Sequence, residues 1–391
     1  MSAESRRVEP TDAASLRVLY LIGGLGPGGA ELQARYLLTH LPAQGVAVRL
    51  GTFGGDKESL ALVAAAGVPI DRLTPKPPGV WPVRVVSAIL GILRRHRIRL
   101  VHSCLSTFDI LAPCLKAFAP GLEVVTSRRS LDEYLSPRDL ARLRLTGRWA
   151  TRIVGNSNEV AESVTRLEGF HPPALTVIPN GIPLPETLSA DERARARQWF
   201  GLGPDRFVVS FPAHFRRGKG HALIAEVARR VRAAHPEAVF LLAGDMEVSE
   251  QYRRIAAETR RAVAAADLDS SVRFLGPVAD IRGLQAASDA SLNLSDSEGM
   301  SNSVMEAMAL GVPVVATGVG GNLEVITDGV HGLHVPVRDA AAAAAALVRL
   351  AGDPALRGRL GAAARQRVAA EYSIDRMVAR YVALYREVLA G

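Results

Sequence analysis

The sequence predicts an α/β protein built from two doubly wound domains, and three observations carry that prediction. Short β-branched or aliphatic runs alternate with longer helical stretches through both halves, the pattern of parallel sheets covered by helices on both faces. The length of 391 residues, 48% of them hydrophobic, supports two full-sized cores at roughly 100–200 residues per domain and excludes disorder as the main state. A stretch with three prolines, PNGIPLPETLSADER at 179–193, punctuates the pattern as a linker. The expected domains are therefore residues 1–182 and 183–373, followed by a final helix within 374–391.

In the first half, strands are expected at 16–22, 46–53, 99–104, 122–127, 152–157 and 175–180, each a run such as LRVLYLI or VAVRLGTF. In the second half they are expected at 207–213, 238–244, 272–276, 290–295 and 313–317. The alanine run 340–347 reads as a plain surface helix, because alanine is the best helix former. No sequence repeat is visible. Two similar α/β domains would instead repeat at the level of fold, with a ligand in the cleft between their strand C-terminal ends.

The net charge of +8 is unevenly distributed, since residues 1–185 carry +7 and residues 186–391 only +1. A basic first half points to a polyanionic partner. Nucleic acid is not expected, because no zinc finger, RRM signature or aromatic-rich basic strand is present. Arg94, Arg95, His96, Arg97 and Arg99, and then Arg138, Arg142, Arg144, Arg148 and Arg152, could equally be solvated helix faces or a contact for anionic lipid. Only two cysteines occur, Cys104 and Cys114, both in an apolar stretch and both read as core, which excludes a disulfide scaffold and a cysteine zinc site. The first fifteen residues lack the apolar core of a signal peptide, and the apolar stretch at 80–93 is too short to span a membrane and carries Arg84. A cytoplasmic protein is expected.

Three constellations could carry chemistry. The loop Gly23-Gly24-Leu25-Gly26-Pro27-Gly28-Gly29 follows the first strand and opens a helix, which suits close approach of backbone N–H groups to a phosphate. The same string matches a dinucleotide fingerprint, but that needs an acid about 20 residues later. Position 49 is Arg, so NAD is not expected. The second constellation, Phe215-Arg216-Arg217-Gly218-Lys219-Gly220-His221, offers cations for a diphosphate or is simply a basic turn. The third runs from Ser297 to Ala316 and places Glu298 in a loop and Glu306 in the following helix. Loop N–H donors at a helix start suit an anion or sugar hydroxyls, and carboxylates accept from vicinal diols. Alternatively, Ser303 and Glu306 form a capping box, which leaves Glu298 and Gly299 without a role.

With these residues in view, the sequence resembles the retaining nucleotide-sugar glycosyltransferases of the GT-B fold, specifically glycosyltransferase family 4. The resemblance rests on the E-x7-E element Glu298 to Glu306, its continuation EAMALGVPVVAT and GGNLEVITDGVHGLHVP, and GGLGPGGAE near the start. Asn156-Ser157, IPNG at 178–181, FRRGKG at 215–220, LLAGD at 241–245 and VRFLGPVADI at 272–281 extend it from residue 16 to 385. The resemblance implies two Rossmann-like domains facing across a cleft, with the final helix crossing back to the first. It implies that Arg216 and Lys219 bind the donor diphosphate, Glu306 the ribose, and Glu298 with Gly299, Met300, Ser301 and Asn302 the donor sugar. Gly28, Gly29 and Gly244 would line the donor site, and Val278 would sit beside the base.

Two positions depart from the family pattern. His214 stands where many members have Arg, with Arg216 able to supply that charge. Arg128, followed by Arg129, stands where many have a His near the reaction centre. His102, at the end of LVHSC, is either a second reaction-centre group or a structural histidine. The resemblance implies retention by front-face attack, a glycan or lipid-linked acceptor, and peripheral contact with the inner face of the cytoplasmic membrane through the basic domain. No metal or other cofactor is expected, because the only D-x-D string, Asp267-Leu268-Asp269, precedes a strand in a polar turn. Two other readings share the fold, a nucleotide-sugar 2-epimerase and a catalytically silent nucleotide-sugar-binding homologue.

Overall fold

The computed structural model describes residues 16–74, 81–131, 135–171 and 173–391. The N-terminal stretch excluded above as a signal peptide lies outside the described residues. Thirteen strands lie among those described: β1 (Leu16–Ile22), β2 (Val46–Thr52), β3 (Ile70–Arg72), β4 (Leu100–Cys104), β5 (Glu123–Arg128), β6 (Arg152–Gly155), β7 (Leu175–Val177), β8 (Val208–Pro212), β9 (Val239–Ala243), β10 (Val272–Gly276), β11 (Ala290–Asn293), β12 (Val314–Thr317) and β13 (Leu333–Val335). They form a seven-stranded sheet in the order β3-β2-β1-β4-β5-β6-β7 and a six-stranded sheet in the order β10-β9-β8-β11-β12-β13. Every pairing in the second sheet is parallel, as are β1 with β2 and β4, β2 with β3, and β4 with β5 in the first. Both sheets start at a central strand, wind outward to one edge and then switch to the other side, so the expected repetition at the level of fold is present.

The strands read as continuous apolar runs because helices cover both faces of each sheet. Val18 to Ile22 of β1 and Phe240 to Leu242 of β9 have no solvent exposure. Two strands, β3 and β13, were not expected from the sequence, since three residues are too few to show a period. The strand expected at 175–180 ends at Val177, two residues before Pro179, which has no N–H for a ladder. The alanine-rich segment is a helix, Ala340–Gly352, but not a plain surface one. Ala343, Ala344, Leu347 and Leu350 pack into the core against β12, β13 and the helix Ile224–Ala234. Composition identified the helix, while burial of one face required the sheet beneath it.

By packing, the described chain divides into two compact units. One holds 16–127, 137–153 and 378–391; the other holds 128–136 and 154–377. In the first unit, Leu19, Leu21, Ile89, Phe108 and Val124 centre the core. In the second, Phe211, Phe215, Val227, Phe240 and Leu347 fill one face of the six-stranded sheet, while Val208, Val239, Leu241 and Leu284 fill the other. No described helix is long and apolar enough to cross a membrane.

Candidate functional site

The second unit gathers most of the expected site residues at the C-terminal ends of β8 and β11. After β8, the loop 213–221 is fixed at two points in the core. Phe215 is fully buried and stacks on His221 at 4.1 Å between ring centroids, and Phe211 meets the same imidazole edge-on at 5.1 Å. Burial pushes His221 down to about 4, so it stays a neutral aromatic spacer. Between these anchors Arg216 and Arg217 are exposed, and Lys219 is mostly buried. Gly220 has φ +79°, and a Cβ there would overlap the Leu294 carbonyl, so only glycine lets this loop lie on the loop after β11. His214 accepts a hydrogen bond at Nδ1 from the Asp245 amide at 3.2 Å, and burial lowers its pKa. A neutral His214 is no substitute for the missing Arg, which leaves the exposed Arg216 and Arg217 as cations of this loop.

The loop after β11 supplies the partner. Lys219 Nζ donates to Glu298 Oε1 at 2.5 Å, and the same oxygen accepts from Ser295 Oγ at 2.7 Å and Asn293 Nδ2 at 3.3 Å. Burial opposes the charge on Glu298, but the Lys219 ammonium and these hydrogen bonds outweigh it and hold the carboxyl below its ordinary range. Gly299 and Met300 then lead to Ser301, the N-cap of the helix Asn302–Ala309. The Ser301 side chain makes no cap hydrogen bond, and Ser303 lies inside the helix. The capping box with Glu306 is therefore not formed. Glu306 lies inside the same helix, where burial pushes its carboxyl up to about 7. The Glu298–Met300 loop is held from behind by the Gly321 amide, which donates to the Glu298 carbonyl at 3.1 Å, and a Cβ at Gly320 would overlap that carbonyl.

Other expected residues fall elsewhere. The Gly244 amide donates to the Gly276 carbonyl at 2.8 Å, and a Cβ on Gly244 would overlap the Ala213 carbonyl, so it marks the close approach of the β8 and β9 ends. Val278 lines a cavity of about 830 Å³ together with Leu188, Trp199, Phe200 and Pro277. Arg128 does not face open space. Its Nε and Nη2 donate to the two Glu168 oxygens at 2.7 and 2.8 Å, both side chains being buried. Its neighbour Arg129 donates from Nη1 to Asn180 Oδ1 at 3.0 Å.

In the first unit, Gly28 caps the helix Gly29–His40, and the Glu31 carboxylate folds back over it, so this helix start is faced by the chain's own anion. His102 is fully buried, with Nδ1 2.5 Å from Tyr385 Oη and Nε2 2.7 Å from Ser127 Oγ, and Tyr20 and Tyr381 pack against its ring. Both ring nitrogens are engaged within this unit. Asp267 and Asp269 lie in the turn before β10, and among the described residues no cluster of three or more His, Cys, Asp or Glu could hold a metal ion. Sequence reasoning missed Asn293, Ser295 and Asn180. The polar run at the end of β11 was the available signal for the first two, and the IPNG string for the third.

Residues 27–185 match the family profile described as Glycosyltransferase Family 4, and residues 206–353 match the profile described as Glycosyl transferases group 1. The chain belongs to glycosyltransferase family 4. This family 4 chain is 30% identical over 222 residues to a D-inositol 3-phosphate glycosyltransferase of Kribbella flavida, covering 55% of the chain and 51% of that protein. It is 33% identical over 251 residues to the protein of the same name from Acidothermus cellulolyticus, covering 62% and 54%. The chain thus spans about half the length of the curated relatives it matches. Among solved structures, a glycosyltransferase from Rickettsia africae superposes with TM-score 0.84 at 17% identity, covering 96% of this chain and 99% of the other. Anabaena HepE in complex with UDP and glucose also gives TM-score 0.84, at 20% identity over 95% and 100%. These likenesses establish the two-domain Rossmann-like architecture of the GT-B fold.

Proposed function

We propose that the chain transfers a sugar from a UDP- or GDP-sugar to a glycan or lipid-linked acceptor with retention of anomeric configuration, in the synthesis of cell-surface polysaccharide or glycolipid. The observation that carries this reading is the Lys219–Glu298 pair, set beside the exposed Arg216 and the start of the helix Asn302–Ala309. Cleavage of a nucleotide-sugar bond builds negative charge on the departing diphosphate, so donors fixed there lower the barrier more than they stabilise the ground state. Arg216 supplies a planar fork of N–H groups, and Lys219 a point charge already aimed by Glu298. Glu306, in its ionised form, accepts from the two ribose hydroxyls, and Glu298 accepts from the sugar. A neighbour solved with UDP and glucose supports UDP as the first donor to test.

On this reading the acceptor oxygen attacks the anomeric carbon on the face that the diphosphate leaves. The bond to the diphosphate oxygen breaks, and the acceptor proton passes to the departing phosphate. NMR of the product's anomeric configuration tests it, and an inverted product would sink it. Thermal stabilisation by a panel of nucleotide sugars, with and without EDTA, identifies the donor and tests the expected metal independence.

The acceptor side of the proposal rests on the helix Pro137–Thr146 and the turn Gly147–Trp149. Arg138, Arg142, Leu145 and Trp149 recur there at helical spacing and are all exposed, an apolar and basic stripe suited to an anionic membrane surface on the cytoplasmic side. Co-sedimentation with phosphatidylglycerol vesicles, reversed by salt, is the expected result. The named relatives make a phosphorylated polyol the second acceptor class to assay.

A further inference from the structure

We propose that Asn180 is a positioning residue for the donor-sugar loop, the joint through which Arg129 sets the orientation of Asn302. This rests on the transferase reading above and extends it to a residue of the IPNG string that has no assigned role. Asn180 is 4% exposed and makes three contacts. Arg129 Nη1 donates to its Oδ1 at 3.0 Å, its Nδ2 donates to Asn302 Oδ1 at 2.9 Å, and its backbone N–H donates to Met300 Sδ at 3.3 Å. One buried residue therefore touches both ends of the 300–302 turn, through its backbone N–H and its side-chain amide, and that side chain is itself held by a cation.

The direction of this chain follows from chemistry. A guanidinium only donates, so the Asn180 atom facing Arg129 is its carbonyl oxygen and the atom facing Asn302 is its NH2. Asn302 must in turn present its own carbonyl oxygen to Asn180. The charge on Arg129 thereby fixes two successive amides, at the first residue of the helix that would receive the donor.

The mount beneath Asn180 is firm. Ile178 N–H donates to the Gly155 carbonyl at 2.9 Å, and Ile182 exchanges backbone bonds with Tyr372 and Ile374 at 2.8 and 3.2 Å. Gly181 lies so close to the following segment that a Cβ would come within 2.8 Å of Ile374 Cα. Gly299, at the other end of the turn, is similarly confined, with a Cβ position 3.3 Å from both the Arg129 carbonyl and Asn156 Oδ1. The two adjacent arginines divide the work: Arg128 neutralises Glu168, and Arg129 orients Asn180.

Asn180→Asp is nearly isosteric and keeps the contact to Arg129. Its second oxygen can only accept, so Asn302 must turn its amide around. Arg129→Gln removes the charge that sets the direction. Titration calorimetry with UDP, GDP, UDP-glucose, UDP-N-acetylglucosamine and GDP-mannose reads the outcome without an acceptor.

For the best-binding pair, both variants are expected to keep the affinity for bare nucleotide within about twofold while the ratio of sugar-nucleotide to nucleotide affinity falls roughly tenfold, the scale of one lost hydrogen bond. Wild-type ratios in both variants would overturn the role of Asn180. An equal loss for nucleotide and sugar nucleotide would also overturn it, since that marks a merely structural part. If the wild-type protein binds none of the probes, the transferase reading fails, and this inference with it.

Discussion

Lys219→Ala should cost stability as well as function, and the size of the cost follows from its surroundings. The side chains of Lys219 and Glu298 are 15% and 9% exposed, so the substitution strands a buried carboxylate. Breaking a buried pair costs about 3–5 kcal/mol. Ser295 and Asn293 still donate to the same Glu298 oxygen, which places the expected loss near the lower end, about 3 kcal/mol. For a unit of this size that is a fall in Tm of roughly 6–12 °C.

The sign of the pH dependence is fixed too. In the wild type, the lowered Glu298 pKa contributes stability above the ordinary carboxylate range, lost only as pH falls through the lowered value. In the variant, burial acts without Lys219 and raises the pKa, a cost present at pH 8 that shrinks as pH falls toward about 4.3, the ordinary glutamate value. Calorimetric scans at pH 8 and pH 5 should therefore show a large deficit at pH 8 and a small one at pH 5. The neutral double variant Lys219→Met with Glu298→Gln should recover most of the Tm at pH 8 while nucleotide binding stays weak. A deficit independent of pH, or none, would refute the account of the pair.

Glu306 and Arg128 give two further tests. Because burial raises the Glu306 pKa to about 7, its contribution to stability is fully present below the ordinary glutamate value and is lost as pH rises through about 7. Glu306→Gln should thus melt higher than wild type at pH 8 and much the same at pH 5, yet bind the nucleotide about tenfold or more weakly; a lower Tm at pH 8 contradicts the assignment. Arg128→Ala leaves the fully buried Glu168 carboxylate without its cation and should cost about 3–5 kcal/mol in urea denaturation, whereas Arg128→Met with Glu168→Leu should regain most of it.

Much of the fold was legible because its signals are local. Runs such as LRVLYLI and AVFLLAG are long enough to bury a strand on both faces, and glycine-rich or polar strings at their ends mark the C-terminal edge where ligands bind. Three-residue strands such as β3 and β13 have no such signature. The candidate site was proposed from residue types, Arg216, Lys219, Glu298 and Glu306, while their interactions were not legible in the sequence. The S-x-x-E string at Ser303 reads as a cap, and only the placement of the helix start at Asn302 removes that reading. Arg128 and Arg129 are adjacent and alike in sequence, yet one neutralises Glu168 and the other orients Asn180.

By itself the sequence determined the two α/β domains, the family and the identity of the charged groups, since periodicity, glycine placement and motif spacing are properties of neighbouring residues. Tertiary structure alone decided which charges are paired and which remain for a ligand. Lys219 meets Glu298 across 79 residues, Asn180 meets Asn302 across 122, and His102 meets Tyr385 across 283. A pKa, a hydrogen-bond direction or a desolvation cost depends on what lies within a few ångströms in space, and no local pattern along the chain encodes those distances.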